Sequence, residues 1–313
     1  MKKNIFFAIL FVLPIFFVSC KTYVDTSKIE YPSPNYSSQQ KIELDNFNNS
    51  IKQNPGDADA YFNRANLKRS CGDFKGAFED YSKAIKLDDT NYRYYYERAM
   101  FEKNYLGRLV EAVKDLNRVT ELVPDYDNAY KERADIKIKI ADFEGAVKDC
   151  SKAIELNPYN DLVYRKRAEA KSNLDDRNGA LEDYTKAIML APSNYKSYNG
   201  KANSIDIRED YEQAIDCYKK ITELIPNRAD VWDNYGNALR NFGKSDEAIK
   251  AYNKATELNS SHINAYANLA RTQRDMQDYK NSLKNFKKAL TLNVYDKDIK
   301  HNIKDLEKKI NNK

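Results

Sequence analysis

Three sets of residues recur at a single spacing, and that spacing constrains the fold more than any other feature. Small residues that follow an acidic or glycine-containing turn fall at Ala77, Ala112, Ala146, Ala180, Ala214, Ala248 and Ser282, in steps of 35, 34, 34, 34, 34 and 34. A second small-residue series, Ala65, Ala99, Ala134, Ala168, Ala202, Gly236 and Ala270, steps by 34, 35, 34, 34, 34 and 34. Pro124, Pro158, Pro192 and Pro226 are each 34 apart, and Pro55 lies 69 before Pro124. A chain that repeats at such a period stacks one structural unit on the next, each too small to bury its apolar face alone. Its 313 residues, which would otherwise suggest about two globular domains, therefore read as one array. The two small-residue series take their extra residue at different steps. One insertion thus lies between Ala99 and Ala112, and the turn around Leu106-Gly107 is its expected place.

Within a unit the pattern is helix, turn, helix, turn. Tyr61, Ala65 and Lys68 share one helical face, Lys68 through its aliphatic stem; Cys71-Gly72-Asp73 breaks the run; Ala77, Tyr81, Ala84 and Leu87 follow at i, i+4, i+7 and i+10. Small residues belong where two helix axes approach to about 8–10 Å. Proline follows the second helix because it cannot continue one.

This arrangement resembles the tetratricopeptide repeat: an aromatic and a small residue in the first helix, a small residue and an aromatic in the second, then proline. Seven units carry it, beginning near Ala58, Tyr92, Asp127, Asp161, Tyr195, Ala229 and Ile263, and unit six, with Trp232, Gly236, Ala248, Tyr252 and Ala255, is nearest the family pattern. The resemblance implies an all-α fold, a right-handed α-solenoid of about seven helix-turn-helix units over residues 58–296, preceded by a half-repeat at 41–57. After Asp296 the period stops, and Ile299, Ile303, Leu306 and Ile310 form one stripe, expected to be a capping helix over 297–313. A membrane-surface helix is the alternative there, given Lys297, Lys300, Lys304, Lys308 and Lys309.

Two departures from the family pattern travel together. Where the family usually has Leu before the small residue of the first helix, units one to four have Arg64, Arg98, Arg133 and Arg167. The same units carry Asp80, Asp115, Asp149 and Asp183 one place before the second-helix aromatic position, whereas units five to seven have neither. Four structural ion pairs are expected, within a unit or to the next; the alternative is four solvated pairs that contribute little.

The chain opens Met-Lys-Lys-Asn, followed by an apolar run from Ile5 to Val18 and then Ser19-Cys20. Fourteen helical residues span roughly 21 Å, short of the roughly 30 Å hydrocarbon core of a bilayer, so residues 1–19 read as a signal peptide. Phe17-Val18-Ser19-Cys20 resembles the lipobox of bacterial lipoproteins, with Phe17 where Leu is usual. That resemblance implies cleavage before Cys20 and lipidation of its thiol, with an ordinary signal peptide or an uncleaved anchor as the alternatives. Residues 20–40, with Pro32, Pro34 and little apolar periodicity, read as a disordered tether.

Charge and composition exclude several functions. Lys plus Arg number 52 against 47 Asp plus Glu, and this mixed-sign surface gives no drive toward nucleic acid. Two His and no Cys-x-x-Cys leave no metal site, and neither a glycine-rich phosphate loop nor a nucleophile motif is present. No enzymatic activity, cofactor or small-molecule substrate is therefore expected. Cys71, Cys150 and Cys217 are read as free thiols packed as small hydrophobes. The 24 tyrosines sit mostly at packing positions such as Tyr61, Tyr95, Tyr130, Tyr164, Tyr198 and Tyr266.

By resemblance to tetratricopeptide domains, the second, fifth, ninth and twelfth positions of each unit face the concave groove. From these come the candidate partner-groove residues Phe62, Asn66, Arg69, Arg93, Tyr96, Met100, Lys103, Lys131, Ile138 and Arg165. Large apolar groups ringed by cations would suit an extended or helical segment with apolar and acidic residues; the alternative is that they pack against the preceding half-repeat. The carboxylate clamp of some family members is incomplete: Asn203 and Asn234 match two places, but Asn199, Asn264 and Asn268 stand where cations are needed. The expectation is a lipid-anchored protein–protein interaction scaffold of the bacterial envelope, on the outer membrane facing the periplasm. An accessory subunit of a cell-wall hydrolase or synthase, and a secreted soluble peptide-binding module, are the alternatives.

Overall fold

The computed structural model describes residues 33–205 and 210–311, and every regular element among them is helical. The signal peptide, Cys20 and the first part of the tether lie outside the described residues. Helix α1 (Ser38–Gln53) precedes seven helix pairs: α2 (Ala58–Ser70) with α3 (Phe74–Leu87), α4 (Tyr92–Phe101) with α5 (Leu109–Leu122), α6 (Asp127–Lys139) with α7 (Phe143–Leu156), and α8 (Asp161–Asn173) with α9 (Arg177–Leu190). The array continues with α10 (Tyr195–Ser204) and α11 (Tyr211–Leu224), α12 (Ala229–Asn241) and α13 (Ser245–Leu258), and α14 (Ile263–Asp275) and α15 (Tyr279–Leu292), and ends in α16 (Lys297–Asn311).

Two boundaries differ from the sequence expectation. The tether does not run to residue 40, because the Ser37 hydroxyl accepts the Gln40 N–H while the Gln40 side chain accepts the Ser37 N–H, a capping box that starts α1 at Ser38. Just before it, Asn35 N–H donates to the Cys71 carbonyl at 2.9 Å and the Tyr36 hydroxyl donates to Asp73 at 3.2 Å, which ties these residues to unit one. The inserted residue of unit two, expected in the turn at Leu106-Gly107, is instead taken up inside the helix. α4 runs directly into one π-helical turn, Glu102–Leu106, which Gly107 closes at φ +65°. Widening one turn accommodates an extra residue without disturbing the units on either side.

Alanines at the helix crossings, including Ala65, Ala77, Ala99, Ala112, Ala134, Ala146, Ala168 and Ala180, are fully buried. Where unit six has glycine instead, a Cβ on Gly236 would lie 2.6 Å from the buried ring of Tyr252, so the tyrosine fills the space that alanine takes elsewhere. First helices of successive units touch, α6 with α8, α8 with α10 and α12 with α14, while no two second helices meet as closely among the described residues. The first helices therefore line the inner, concave side of an α-solenoid. At the end of the array, Ile299, Ile303 and Leu306 of α16 are buried with Phe286 and Ala289 of α15. No helix among the described residues is long and apolar enough to cross a membrane.

Candidate protein-binding face

The concave side rests on a buried polar frame. Each of Arg64, Arg98, Arg133 and Arg167 meets its aspartate in a two-pronged contact: Nε and a terminal nitrogen donate to the two oxygens of Asp80, Asp115, Asp149 and Asp183 at 2.6–2.9 Å. All four carboxylates are buried, and each joins the two helices of its own unit. The remaining arginine nitrogen reaches back to the preceding unit, donating to Asn48, Ser82, Asn117 with Thr120, and Ser151. Lysines one turn further on complete the arrangement: Lys68, Lys137 and Lys171 lie 2.8–2.9 Å from Asp80, Asp149 and Asp183. Sequence reading had placed Lys68 on the packing face by its stem alone. Its recurrence at 137 and 171, in step with the arginines, was the available signal.

Unit two breaks this frame. Glu102, the first residue of the π-helical turn, occupies the lysine position; it is 3% exposed, and its Oε2 has no hydrogen-bond partner among the described residues. Burial and the neighbouring Asp115 push its carboxyl up to about 7, against the opposing pull of Arg98 and Arg108.

Over this frame the concave surface carries polar links from unit to unit. Asp59 accepts from the Tyr94 hydroxyl, Arg69 pairs with Glu97 at 2.9 Å, and Lys103 pairs with Glu132 and Asp135 at 2.7 and 2.6 Å. Asp135 also meets Lys139 and Lys166. Burial raises its carboxyl, but bonds from Lys103 and Lys166 outweigh that and hold it well below the usual range. The second half of the array uses carboxamides and arginine: Asn268 donates to Asp233, Arg240 pairs with Asp275, and Arg274 bonds Asn302.

These links change the reading of several candidate groove residues. Arg69 and Lys103, expected to ring the apolar groups as free cations, are already neutralised by acids of the following unit. Of the acids responsible, Asp135 stands at the groove-facing ninth position of unit three, whereas Glu97 and Glu132 stand at sixth positions, which the pattern does not single out. A fixed period identifies equivalent positions but does not say which neighbour a long side chain will reach. Lys131 bonds Asn128 at 2.7 Å, Arg93 is exposed, and Arg165 lies 3.6 Å from Asp161 with a buried Nε lacking a hydrogen-bond partner among the described residues. Phe62 stacks on Tyr94 and Tyr81 with ring centroids at 5.0 and 6.0 Å, and Tyr96 on Tyr126 at 5.4 Å. Met100 and Ile138 pack partly into the cores of units two and three. All four are half-buried, with one side in packing contact and one side open. Asn66 accepts from the buried Tyr81 hydroxyl.

Units five and six form a small cavity of about 330 Å³, lined by Ala202, Asn203, Tyr218, Asn234, Asn237 and Asn241 among others. Tyr218 and Tyr252 donate to the carbonyl oxygens of Asn203 and Asn237, each at 2.9 Å, which leaves the amide N–H groups as donors toward the groove. Cys71, Cys150 and Cys217 are free and buried, and burial pushes the Cys150 thiol up to about 12. Tyr61, Tyr95, Tyr130, Tyr198 and Tyr266 are half-buried and Tyr164 is buried, and the frame arginines lie over the rings of Tyr61, Tyr130 and Tyr164. No cluster of three or more metal-ligand side chains occurs among the described residues.

An inner layer of first helices, an outer layer of second helices and a constant pitch define a helical-repeat interaction module. Tetratricopeptide repeat profiles match residues 58–91, and again 128–160, 195–228 and 263–293, and a TPR repeat profile matches 236–276. The chain belongs to the tetratricopeptide repeat family. It shares its fold with the C-terminal part of a TPR repeat-containing protein from Cytophaga hutchinsonii (17% identity, TM-score 0.67, covering 77% of this chain and 99% of that one). A tetratricopeptide repeat protein from Parabacteroides merdae is similar at 16% identity and TM-score 0.57, covering 80% of this chain and 98% of that one. YrrB, described as a TPR protein with an unusual peptide-binding site, matches at 18% identity and TM-score 0.51 over 59% of this chain and 95% of its own. No curated protein matches the sequence.

Proposed function

We propose that this protein is a non-enzymatic scaffold, anchored by a lipid on Cys20 in the bacterial envelope, that holds segments of partner proteins in its concave groove. The outer membrane, facing the periplasm, is the location this reading favours. The observation that carries the binding role is the half-buried state of Phe62, Tyr96, Met100 and Ile138 on the inner face. Apolar side chains fixed on one side and open on the other are the form that partner anchors take. Because Arg69, Lys103 and Lys131 are already paired with acids, the partner need not be strongly acidic; Arg93 is the exposed cation left to steer it. The family membership and the peptide-binding site named for YrrB support the same reading.

Crosslinking in cells followed by mass spectrometry identifies the partner. Tyr96→Ala combined with Arg93→Ala is then expected to weaken its binding at least tenfold, and unchanged affinity would refute the groove assignment. Mass spectrometry of the mature N-terminus tests the anchor separately: an acylated Cys20 is expected, and an unmodified or uncleaved one overturns it.

A further inference from the structure

The turn between the two helices of unit one is occupied by another stretch of the same chain, and units three and four repeat that turn with the same two acceptors unbonded by any described residue. The three turns read Cys71-Gly72-Asp73-Phe74-Lys75-Gly76, Ile140-Ala141-Asp142-Phe143-Glu144-Gly145 and Leu174-Asp175-Asp176-Arg177-Asn178-Gly179. In each, the second residue has a positive φ of 82°, 61° or 60°, and the aspartate caps the following helix by accepting the glycine N–H at 2.9–3.0 Å. That cap uses one carboxylate oxygen. In unit one the other oxygen accepts the Tyr36 hydroxyl, while the carbonyl of Cys71, at the end of α2, accepts the Asn35 N–H.

In units three and four the same acceptors, the second oxygens of Asp142 and Asp176 and the carbonyls of Ile140 and Leu174, receive no hydrogen bond from any described residue. The side chain beside each carbonyl differs in step: Cys71 is 6% exposed, whereas Ile140 and Leu174 are 40% and 38% exposed. Phe242 and Met276 continue the exposed apolar column in units six and seven, but the acceptor is missing there. Lys244 replaces the aspartate, and the second oxygen of Asp278 is taken by Asn281. Among the described residues, only units three and four, which are adjacent, reproduce the whole arrangement. Because all units stack in the same sense, their turns form one edge of the solenoid, apart from the groove-lining faces of the first helices.

We propose that this edge is a second docking site, which takes an extended, non-acidic segment of a partner protein through a backbone N–H, a tyrosine hydroxyl and apolar contact with Ile140 and Leu174. The occupant's chemistry is read from the Asn35-Tyr36 stretch that fills the equivalent place in unit one. Asp142, Glu144, Asp175 and Asp176 outnumber Arg177 within the turns of units three and four and disfavour an acidic segment. The site is independent of the concave groove and stands or falls separately from it. In unit one the occupant benefits from being tethered, with an effective concentration on the order of millimolar, so a free peptide is needed at comparable concentration.

The test uses the hexapeptide Ser-Pro-Asn-Tyr-Ser-Ser, the sequence of residues 33–38, titrated into isotopically labelled protein while backbone amide resonances are followed. Saturable shifts of residues 140–142 and 174–176 are expected. They should weaken at least tenfold in the Ile140→Lys, Leu174→Lys double variant, and at least threefold when the peptide tyrosine is replaced by phenylalanine. Shifts confined to residues 71–76, which would show the peptide merely replacing the chain's own segment, overturn the proposal; so do shifts confined to the groove around Tyr96, or no shifts at all.

Discussion

Units one to four and units five to seven build the same helix pair from opposite materials. The first group closes it with a half-buried arginine, a buried aspartate and, except in unit two, a half-buried lysine. At the same three positions unit six has Tyr235, Leu239 and Ala251, unit five has Lys201, Ile205 and Cys217, and unit seven has Leu269 with Gln273 and Asn285 bonded to each other at 2.8 Å. Charge is therefore not needed to hold the two helices of a unit, in keeping with the large desolvation cost of buried ions, which apolar side chains of similar size avoid. What the arginine adds is direction. Its third nitrogen donates to the second helix of the preceding unit, or to α1 before unit one, at all four places, a link between units that a leucine or tyrosine at that position does not make.

Removing one partner should therefore hurt far more than replacing the whole set. Asp149→Asn leaves the half-buried Arg133 and Lys137 without their counter-charge and should cost up to about 3–5 kcal/mol in urea unfolding, the loss seen when one partner of a buried pair is removed. Converting unit three to the unit-six residues, Arg133→Tyr with Lys137→Leu and Asp149→Ala, should recover most of that loss. If the single and triple variants are equally destabilised, the two halves of the molecule are not interchangeable solutions. Asn285→Ala, the corresponding truncation in unit seven, should cost only about 1 kcal/mol, the worth of one neutral hydrogen bond.

Unit two supplies a finer comparison, because there the charged frame has an acid where its neighbours have lysine. Glu102 has its carboxyl raised from 4.5 to about 7, so between those values the folded chain holds a proton that the unfolded chain has released. Stability should then fall as pH rises through that window. Glu102→Gln should flatten this part of the stability–pH curve. Glu102→Lys, which gives unit two the residue found in units one, three and four, should raise stability at pH 8 by about 1–3 kcal/mol, the usual cost of a buried unsatisfied group. Equal pH slopes for the Glu102→Gln variant and the parent would mean that the carboxylate reaches water or a cation by local opening.

How much of this was legible in sequence depends on whether a feature repeats. The helix pairs, their crossings at Ala65 or Ala146, and the pairing partners of the four arginines all follow from columns of residues at a common period. The insertion in unit two breaks the period once, so the columns bracket it between Ala99 and Ala112 but cannot tell a longer turn from a widened helix. The links Arg69–Glu97 and Lys103–Asp135 were invisible for a related reason: each joins different columns of adjacent units, and side-chain reach, not sequence spacing, decides the partner. Docking of Asn35 and Tyr36 on unit one occurs once and has no periodic signal at all.

The smallest expected effect isolates the backbone from side-chain chemistry, and compares one unit from each half. The turn between paired helices needs a left-handed residue: unit six supplies Gly243 at φ +81°, while unit three forces Ala141 to φ +61°. No atom lies within 4 Å of where a Cβ on Gly243 would sit, so substitution there changes conformational preference and little else. An L-residue in this region costs roughly 1–2 kcal/mol, and glycine gives back roughly 0.4–1 kcal/mol through the greater freedom of the unfolded chain. Ala141→Gly should therefore stabilise by about 0.5 kcal/mol and Gly243→Ala destabilise by a similar amount, both measured as shifts in the urea midpoint at constant m. Opposite signs of equal size would show that the two halves share one backbone solution and differ only in the side chains laid over it. A loss on Ala141→Gly would mean that the Ala141 methyl makes contacts whose value exceeds the strain of its φ.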